Sequence, residues 1–215
     1  MNPEYLFHVP NRVSSVEEIY GFHTSGKYAG IRQTYNSFYR LYGNFTGGAR
    51  QRAEVLIVED SNSGYEFYSS LVSEETVCKP AGGKSKIKNL TMDNTGKRTL
   101  IIADGAAFGP EIGELYLYIQ NNPSVCLYLP ESFEWIILSS GLIDGNRIAE
   151  IMEKPEEFIE SSEYFSWEQY FTGLLVSETK DTYLHYNKSH LNSIYLNPKE
   201  KEAIIRVMEV IRGVV

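Results

Sequence analysis

Glu59 and Asp60 directly follow the apolar run Val55-Leu56-Ile57-Val58, and Asp104 follows Thr99-Leu100-Ile101-Ile102-Ala103. Glu131 and Glu134 come just after the apolar stretch Ser124 to Leu129, while a shorter run, Thr76-Val77-Cys78, leads into Gly82-Gly83-Lys84. If these runs are parallel strands of one sheet, their carboxyl ends bring the acidic side chains to the edge where ligands of open α/β sheets gather. Carboxylates that converge there repel one another unless they are protonated or neutralised by a cation. Mg²⁺ (or Mn²⁺) is the expected cofactor, a hard ion served by one or two carboxylates plus waters and substrate phosphates. Each acidic residue taken alone is also compatible with capping a helix, because a helix amino terminus favours negative charge.

The other chemistry-bearing residues point away from several classes. Gly83-Lys84-Ser85 has the ending of a phosphate loop, but Cys78 stands where that loop needs its first glycine, so nucleotide triphosphate hydrolysis is not expected. The double glycine suits a tight turn that leaves Lys84 able to meet an anion. Lys84, Lys86, Lys88, Lys97 and Arg98 form a basic cluster in the same central unit. His8, His23, His185 and His190 are scattered, and with only Cys78 and Cys126 no zinc spacing exists. Both cysteines lie in strand-like contexts and suit small core positions. No Gly-x-Ser-x-Gly elbow occurs.

The elements that must position these residues alternate. The continuous β-branched and apolar runs are those of strands buried on both faces. Between them, Tyr65, Phe67, Tyr68 and Leu71 suit a helix, Lys84 to Thr91 a short helix, Pro110 to about Asn121 another, and Glu131 to Ser140 a fourth stopped by Gly141. Alternating strands and helices imply an open, mostly parallel α/β sheet with right-handed crossovers. Upstream, a helix is expected around Ile31 to Tyr42. Downstream of Asp144 the pattern is helical, and Pro198-Lys199-Glu200 opens a helix with Ala203, Ile204, Val207, Met208 and Ile211 on one face. The expected organisation is an N-terminal basic and aromatic extension over 1–53, an α/β core over 54–143, and a helical C-terminal region over 144–215 packed on that core.

With 215 residues, 42% apolar, 22% charged and a net charge of −8, the chain can fill a core and is unlike a protein that coats nucleic acid by bulk charge. A local basic groove is still compatible: Gly21 to Ala53 holds Lys27, Arg32, Arg40, Arg50 and Arg52, interleaved with aromatics and with no acidic residue. The stretch Glu131 to Asp181 is strongly acidic and reads as a solvated helical surface. Met1-Asn2-Pro3-Glu4 is not the opening of a secretion signal, and no apolar run approaches the roughly 18 residues of a membrane span. A cytoplasmic protein without membrane contact is expected.

Val58-Glu59-Asp60-Ser61-Asn62-Ser63-Gly64-Tyr65-Glu66-Phe67-Tyr68 resembles the first motif of Toprim domains, a strand-end glutamate followed by an aromatic-bearing helix. Ala81-Gly82-Gly83-Lys84-Ser85 resembles the glycine turn after the second Toprim strand, and Ile101-Ile102-Ala103-Asp104-Gly105-Ala106 falls where that fold has its Asp-x-Asp. Ser132-Phe133-Glu134 is similar to the later acidic motif of the overcoming-lysogenisation-defect nucleases and related phage-defence Toprim proteins. The resemblance implies a Toprim-like (Rossmann-like) sheet and a metal-dependent nuclease acting on DNA or RNA, with an ATPase as a candidate partner protein. It implies Glu59 as the catalytic acid/base, Asp104, Glu134 and Asp60 as metal ligands, and Lys84, Lys86 and Arg98 as phosphate contacts. Ser63 stands where many relatives have an aspartate, and Ala106 replaces the second aspartate of Asp-x-Asp. The alternative is therefore a catalytically inactive Toprim-like module that binds a partner or nucleic acid. A third resemblance, to response-regulator receivers, rests on Leu56 to Ser61 with Asp104 as phosphoacceptor and Lys154-Pro155 as the receiver's Lys-Pro, although Leu129-Pro130 stands where a receiver has Ser or Thr.

Overall fold

Alternate residues of each central strand face opposite layers, and in this chain both layers are apolar. β2 (Val55–Val58), β4 (Thr99–Ile102) and β5 (Val125–Tyr128) are buried at every position. Leu56, Val58, Leu100, Ile102, Cys126 and Tyr128 pack into one core; Val55, Ile57, Ile101, Val125 and Leu127 pack into a second on the other face. This period-2 division of an unbroken apolar run is what a strand sandwiched between helices requires. The computed structural model describes residues 41–42, 52–105, 111–158, 163–164 and 166–214.

The sheet order is β1-β5-β4-β2-β3, where β3 is Val77–Pro80 and β1 is Leu41–Tyr42. β2, β3, β4 and β5 are parallel in register, Val58 lying beside Ile102 and Ile102 beside Tyr128. β1 adds an antiparallel pair to β5, with Leu41 opposite Tyr128. Residues 41–42 are thus strand where the sequence suggests the end of a helix; residues 31–40 lie outside the described residues. β3 is an edge strand, which accounts for an exposed Val77 and for Pro80, a residue that weakens a central ladder.

Chain direction sets which face each helix covers. From β2 the chain steps outward to β3, and α1 (Ser63–Ser69) covers the first face with Phe67 and Tyr68. It then turns back past β2 to β4 and on to β5, so right-handed crossovers put α2 (Ile87–Met92) and α3 (Glu111–Gln120) on the opposite face, with Ile87, Leu115 and Ile119 buried. The reversal between β2 and β4 is the topological switch point of a doubly wound, Rossmann-like sheet, and Glu59 and Asp104 follow those two strands.

α4 (Phe133–Ser139) returns to the first face. It starts later than Glu131 because Ser132 is its cap: the extended Ser132 accepts the Trp135 N–H at 3.1 Å, worth about 1 kcal/mol. α5 (Asn146–Glu153), α6 (Trp167–Thr179) and α7 (Pro198–Val207) join the same core through Ile148, Ile151, Trp167, Phe171, Leu175 and Ile204. On the predicted stripe of α7 and the turn after it, Ile204, Met208 and Ile211 are fully buried. The C-terminal region is therefore packed on the sheet, and Val214 closes back on it through its carbonyl, which accepts the Ala53 N–H at 2.7 Å. Among the described residues no helix is long and apolar enough to cross a membrane.

Candidate functional site

Glu59 leaves β2 at the level where Ala103 leaves β4, since the Glu59 N–H donates to Ile102 O at 3.0 Å. Its side chain turns toward the neighbouring strand, and Oε2 accepts the backbone N–H of Asp104 at 3.0 Å. Two acidic residues 45 positions apart thus share one neighbourhood because their strands are adjacent. The turn after β3 folds over the same edge: the Gly83 N–H donates to Glu59 O at 2.9 Å. Gly82 and Gly83 have φ of +66° and +122°, a left-handed backbone that glycine adopts without Cβ strain. This turn brings Lys84 close enough to pull the Glu59 carboxyl toward its charged form, and Lys86 Nζ lies 3.7 Å from where a Cβ on Gly82 would stand.

Asp60 has a structural task. Asn62 precedes α1 without a side-chain cap, and Asp60 Oδ1 takes over by accepting the Tyr65 N–H at 2.8 Å. Gly64 is fitted to that arrangement, since a Cβ there would lie 3.0 Å from Asp60 Oδ2. Glu134 occupies the first turn of α4, where the helix end favours an anion, and its side chain is 2% exposed. The Tyr186 hydroxyl donates to Glu134 Oε1 at 2.9 Å and lies 2.7 Å from Ser63 Oγ. Because the single phenolic hydrogen is committed to Glu134, Ser63 donates to Tyr186. Ser63, at the position where the resembled family often has a carboxylate, here closes a buried hydrogen-bond chain.

The stretch between α6 and α7 supplies the rest. Lys188 Nζ stands 3.7 Å from Glu134 Oε1 and donates to Glu168 Oε1. The connection is held in place: Tyr186 N–H donates to Thr179 Oγ1 at 3.0 Å, the Tyr195 hydroxyl donates to Leu184 O, and Glu66 accepts the Leu191 N–H at 2.7 Å while pairing with His190 Nδ1 at 2.9 Å. Such a long, internally packed connection is typical of functional loops.

The electrostatics follow from gathering Glu59, Asp60, Asp104, Glu134 and Glu168 around so few cations. Burial pushes the Glu59 carboxyl up to about 7, opposed by the Asp104 N–H and Lys84 and reinforced by Glu168 and Asp60. Burial, then Glu59, Glu134 and Glu168, hold Asp104 well above the carboxylate range, with Lys188 opposing. Asp60 is raised by burial and by Glu134, against the N–H groups of Tyr65 and Gly64 and the charge of Lys188. Burial disfavours the Lys188 ammonium, but Glu134 and Glu168 outweigh it and keep the pKa above the usual lysine value. The edge carries an acid/base group poised near neutrality within a field that favours cations.

Of the residues predicted from the sequence, the structure brings Glu59, Asp60, Asp104, Glu134 and Lys84 together, with Lys86 over the glycine turn. Arg98 is not among them. It precedes β4 at the opposite end of the sheet, where Nη1 pairs with Glu54 Oε2 at 3.4 Å and Nε donates to Arg52 O at 2.9 Å. Lys154 follows α5 and pairs with Glu157 at 3.5 Å. Ala106 lies outside the described residues. Lys188, Glu168 and Tyr186 escaped the sequence reading. Tyr186 and Lys188 are two positions apart, so in an extended segment they share a side, and that spacing was the available signal. The acidic stretch after Glu131 is not wholly a solvated surface: Glu134 is buried and the Glu168 side chain is 28% exposed.

The oxygen donors present suit a hard divalent ion, which takes one or two carboxylates and keeps several waters. Among the described residues, no three Asp, Glu, His or Cys side chains are grouped closely enough to hold a metal ion by themselves. Glu59 and Asp104 are the adjacent pair able to contribute to such an ion. The chain matches no family model, no curated protein and no solved structure.

Proposed function

We propose that this chain is a Toprim-like, Mg²⁺- or Mn²⁺-dependent nuclease that hydrolyses phosphodiester bonds in DNA or RNA. The observation that carries the proposal is the hydrogen-bonded juxtaposition of Glu59 and Asp104 at the switch point of the sheet, with the Glu59 carboxyl raised to about 7. A general base works best with a pKa near the operating pH, and the Glu59 carboxyl, raised to about 7, would take a proton from the water that attacks phosphorus in line, while the leaving oxygen is protonated from solvent. Asp104 would hold the divalent ion, with Glu59 beside it as the base. When bound, the ion supplies Lewis-acid stabilisation of charge on the phosphate. The N–H of Asp104 fixes the direction of the Glu59 carboxylate, while Lys84 and Lys86 beside the Gly82-Gly83 turn offer positive charge to a phosphate backbone. A role as a phage-defence effector with an ATPase partner belongs to the same proposal.

A second proposal, an inactive partner-binding or nucleic-acid-binding module of the same fold, is favoured by one observation. Lys188 already neutralises Glu134 and Glu168, which leaves fewer carboxylates for a metal clamp. The two separate in one experiment. The full chain is incubated with single- and double-stranded DNA and with RNA, with Mg²⁺ or Mn²⁺, beside Glu59→Ala. Metal-dependent cleavage that the variant lacks supports the nuclease; absence of cleavage with every substrate and metal, joined to absence of calorimetric metal binding, supports the module.

A further inference from the structure

Tyr68 lies on α1 with 2% of its surface exposed, and its hydroxyl has no hydrogen-bond partner among the described residues. Buried polar groups are nearly always paired, and leaving one unpaired costs about 1–3 kcal/mol, so an orphan of this kind asks what it waits for. The ring has little freedom to seek a partner elsewhere. It packs edge-on against Phe133, with centroids 5.5 Å apart, and against Phe67 at 5.9 Å. Phe133 directly precedes Glu134, and Tyr68 shares α1 with Ser63, the serine tied through Tyr186 to Glu134. Burial first, then the nearby Asp104, Tyr128, Asp60 and Glu134, raise the Tyr68 pKa, so the orphan hydroxyl stands within electrostatic reach of the acidic edge.

We propose that the Tyr68 hydroxyl belongs to the ligand site at this edge, where it hydrogen-bonds to a water in the hydration shell of a divalent cation held at Asp104 beside Glu59. The inference rests on the metal-dependent function proposed above and gives a role to the Tyr68 hydroxyl, to which the family resemblance assigns none. The chemistry suits the group. A divalent ion that dehydrates reluctantly keeps several waters, and those waters need partners where the protein supplies few direct ligands. A neutral phenol adds no charge to an edge already crowded with carboxylates, and it can donate to a carboxylate or accept from a metal-bound water.

The test uses the full chain and Tyr68→Phe, a change that removes one oxygen and keeps the ring packing on Phe133 and Phe67. Thermal unfolding is followed in EDTA and with MnCl₂ or MgCl₂, and binding of each ion is titrated by calorimetry. The expected result is a variant as stable as the parent or more so in EDTA, because an unpaired hydroxyl has been removed, but with Mn²⁺ affinity reduced about tenfold, the value of one charge-assisted hydrogen bond. Loss of stability in EDTA overturns the inference, since the hydroxyl is then already satisfied by the protein or a resident water. Equal Mn²⁺ affinity in the two proteins also overturns it while leaving the metal-dependent function standing. Absence of ion binding to the parent overturns that function and this inference together.

Discussion

Lys188 holds its ammonium 3.7 Å from the buried Oε1 of Glu134, joining the loop between α6 and α7 to the first turn of α4. The same lysine donates to Glu168 in α6, and its backbone carbonyl accepts the Ser63 N–H at 3.3 Å at the start of α1. The C-terminal region is thus part of the acidic edge. The carboxylates that the sheet topology gathers are partly balanced by a cation delivered from more than fifty residues further along the chain.

Replacing Lys188 by Met leaves Glu134 buried beside an uncharged side chain. Removing one partner of a fully buried pair costs about 3–5 kcal/mol; with the Lys188 side chain 39% exposed, solvent screening reduces the expected loss to about 1–2 kcal/mol. Urea denaturation in EDTA measures it. If the proposed metal-dependent function holds, added Mn²⁺ should then restore more stability to Lys188→Met than it adds to the parent, because the ion no longer meets the repulsion of a nearby ammonium. Equal Mn²⁺ effects on the two proteins would contradict an influence of Lys188 on the proposed ion site.

Glu59 makes stability fall as pH rises. Its carboxyl goes from 4.5 in the unfolded chain to about 7 in the native protein, so the native state binds the extra proton between these values. The contribution is fully present below about 4.5 and lost as pH climbs through about 7, a swing of up to about 3 kcal/mol. Glu59→Gln keeps an oxygen for the Asp104 N–H but cannot ionise. Denaturation at intervals from pH 5 to pH 8 in EDTA should show a flatter profile and higher stability than the parent at pH 8, together with loss of any metal-dependent cleavage. A parallel pH profile in the two proteins would mean that Glu59 is not the titrating group.

Tyr186 and Ser63 should behave as one unit. Tyr186→Phe deprives Glu134, 2% exposed, of a donor and leaves Ser63 without its acceptor, for a cost of about 2 kcal/mol. Ser63→Ala should cost about 1 kcal/mol alone, yet much less once Tyr186 is already Phe. A double-mutant cycle measures the difference, and a coupling energy indistinguishable from zero contradicts the relay.

Neither thiol should be reactive in the native protein. Burial pushes the Cys78 thiol up to about 11, and Cys126 is 1% exposed in the sheet. At pH 8, iodoacetamide labelling of Cys78 should be roughly a hundredfold slower in the folded chain than in urea, following the smaller thiolate fraction. Mass spectrometry of the timed reaction reads both sites. Rapid native labelling of Cys78 would place its sulfur in water.

The strands and the acidic residues after them were readable in the sequence because the information is local. An unbroken Val55-Leu56-Ile57-Val58 or Leu100-Ile101-Ile102 has no polar face to offer water, so it must be covered on both sides, and a parallel sheet makes its carboxyl end a ligand edge. Glu59, Asp104, the Gly82-Gly83 turn and the apolar stripe of α7 follow from that periodicity. The tertiary structure decided which distant groups meet them. It made Asp60 the cap of α1 where Asn62 does not serve, started α4 at Ser132, and sent Arg98 to the opposite end of the sheet. It also brought Tyr186, Lys188 and Glu168 to Glu134 and left the Tyr68 hydroxyl without a partner among the described residues. Those outcomes depend on how a long connection packs across an interface, and contacts between residues so far apart leave no period in the sequence. Local pattern fixes what each segment must hide, whereas the pairing of charges is settled only when the hidden faces have found one another.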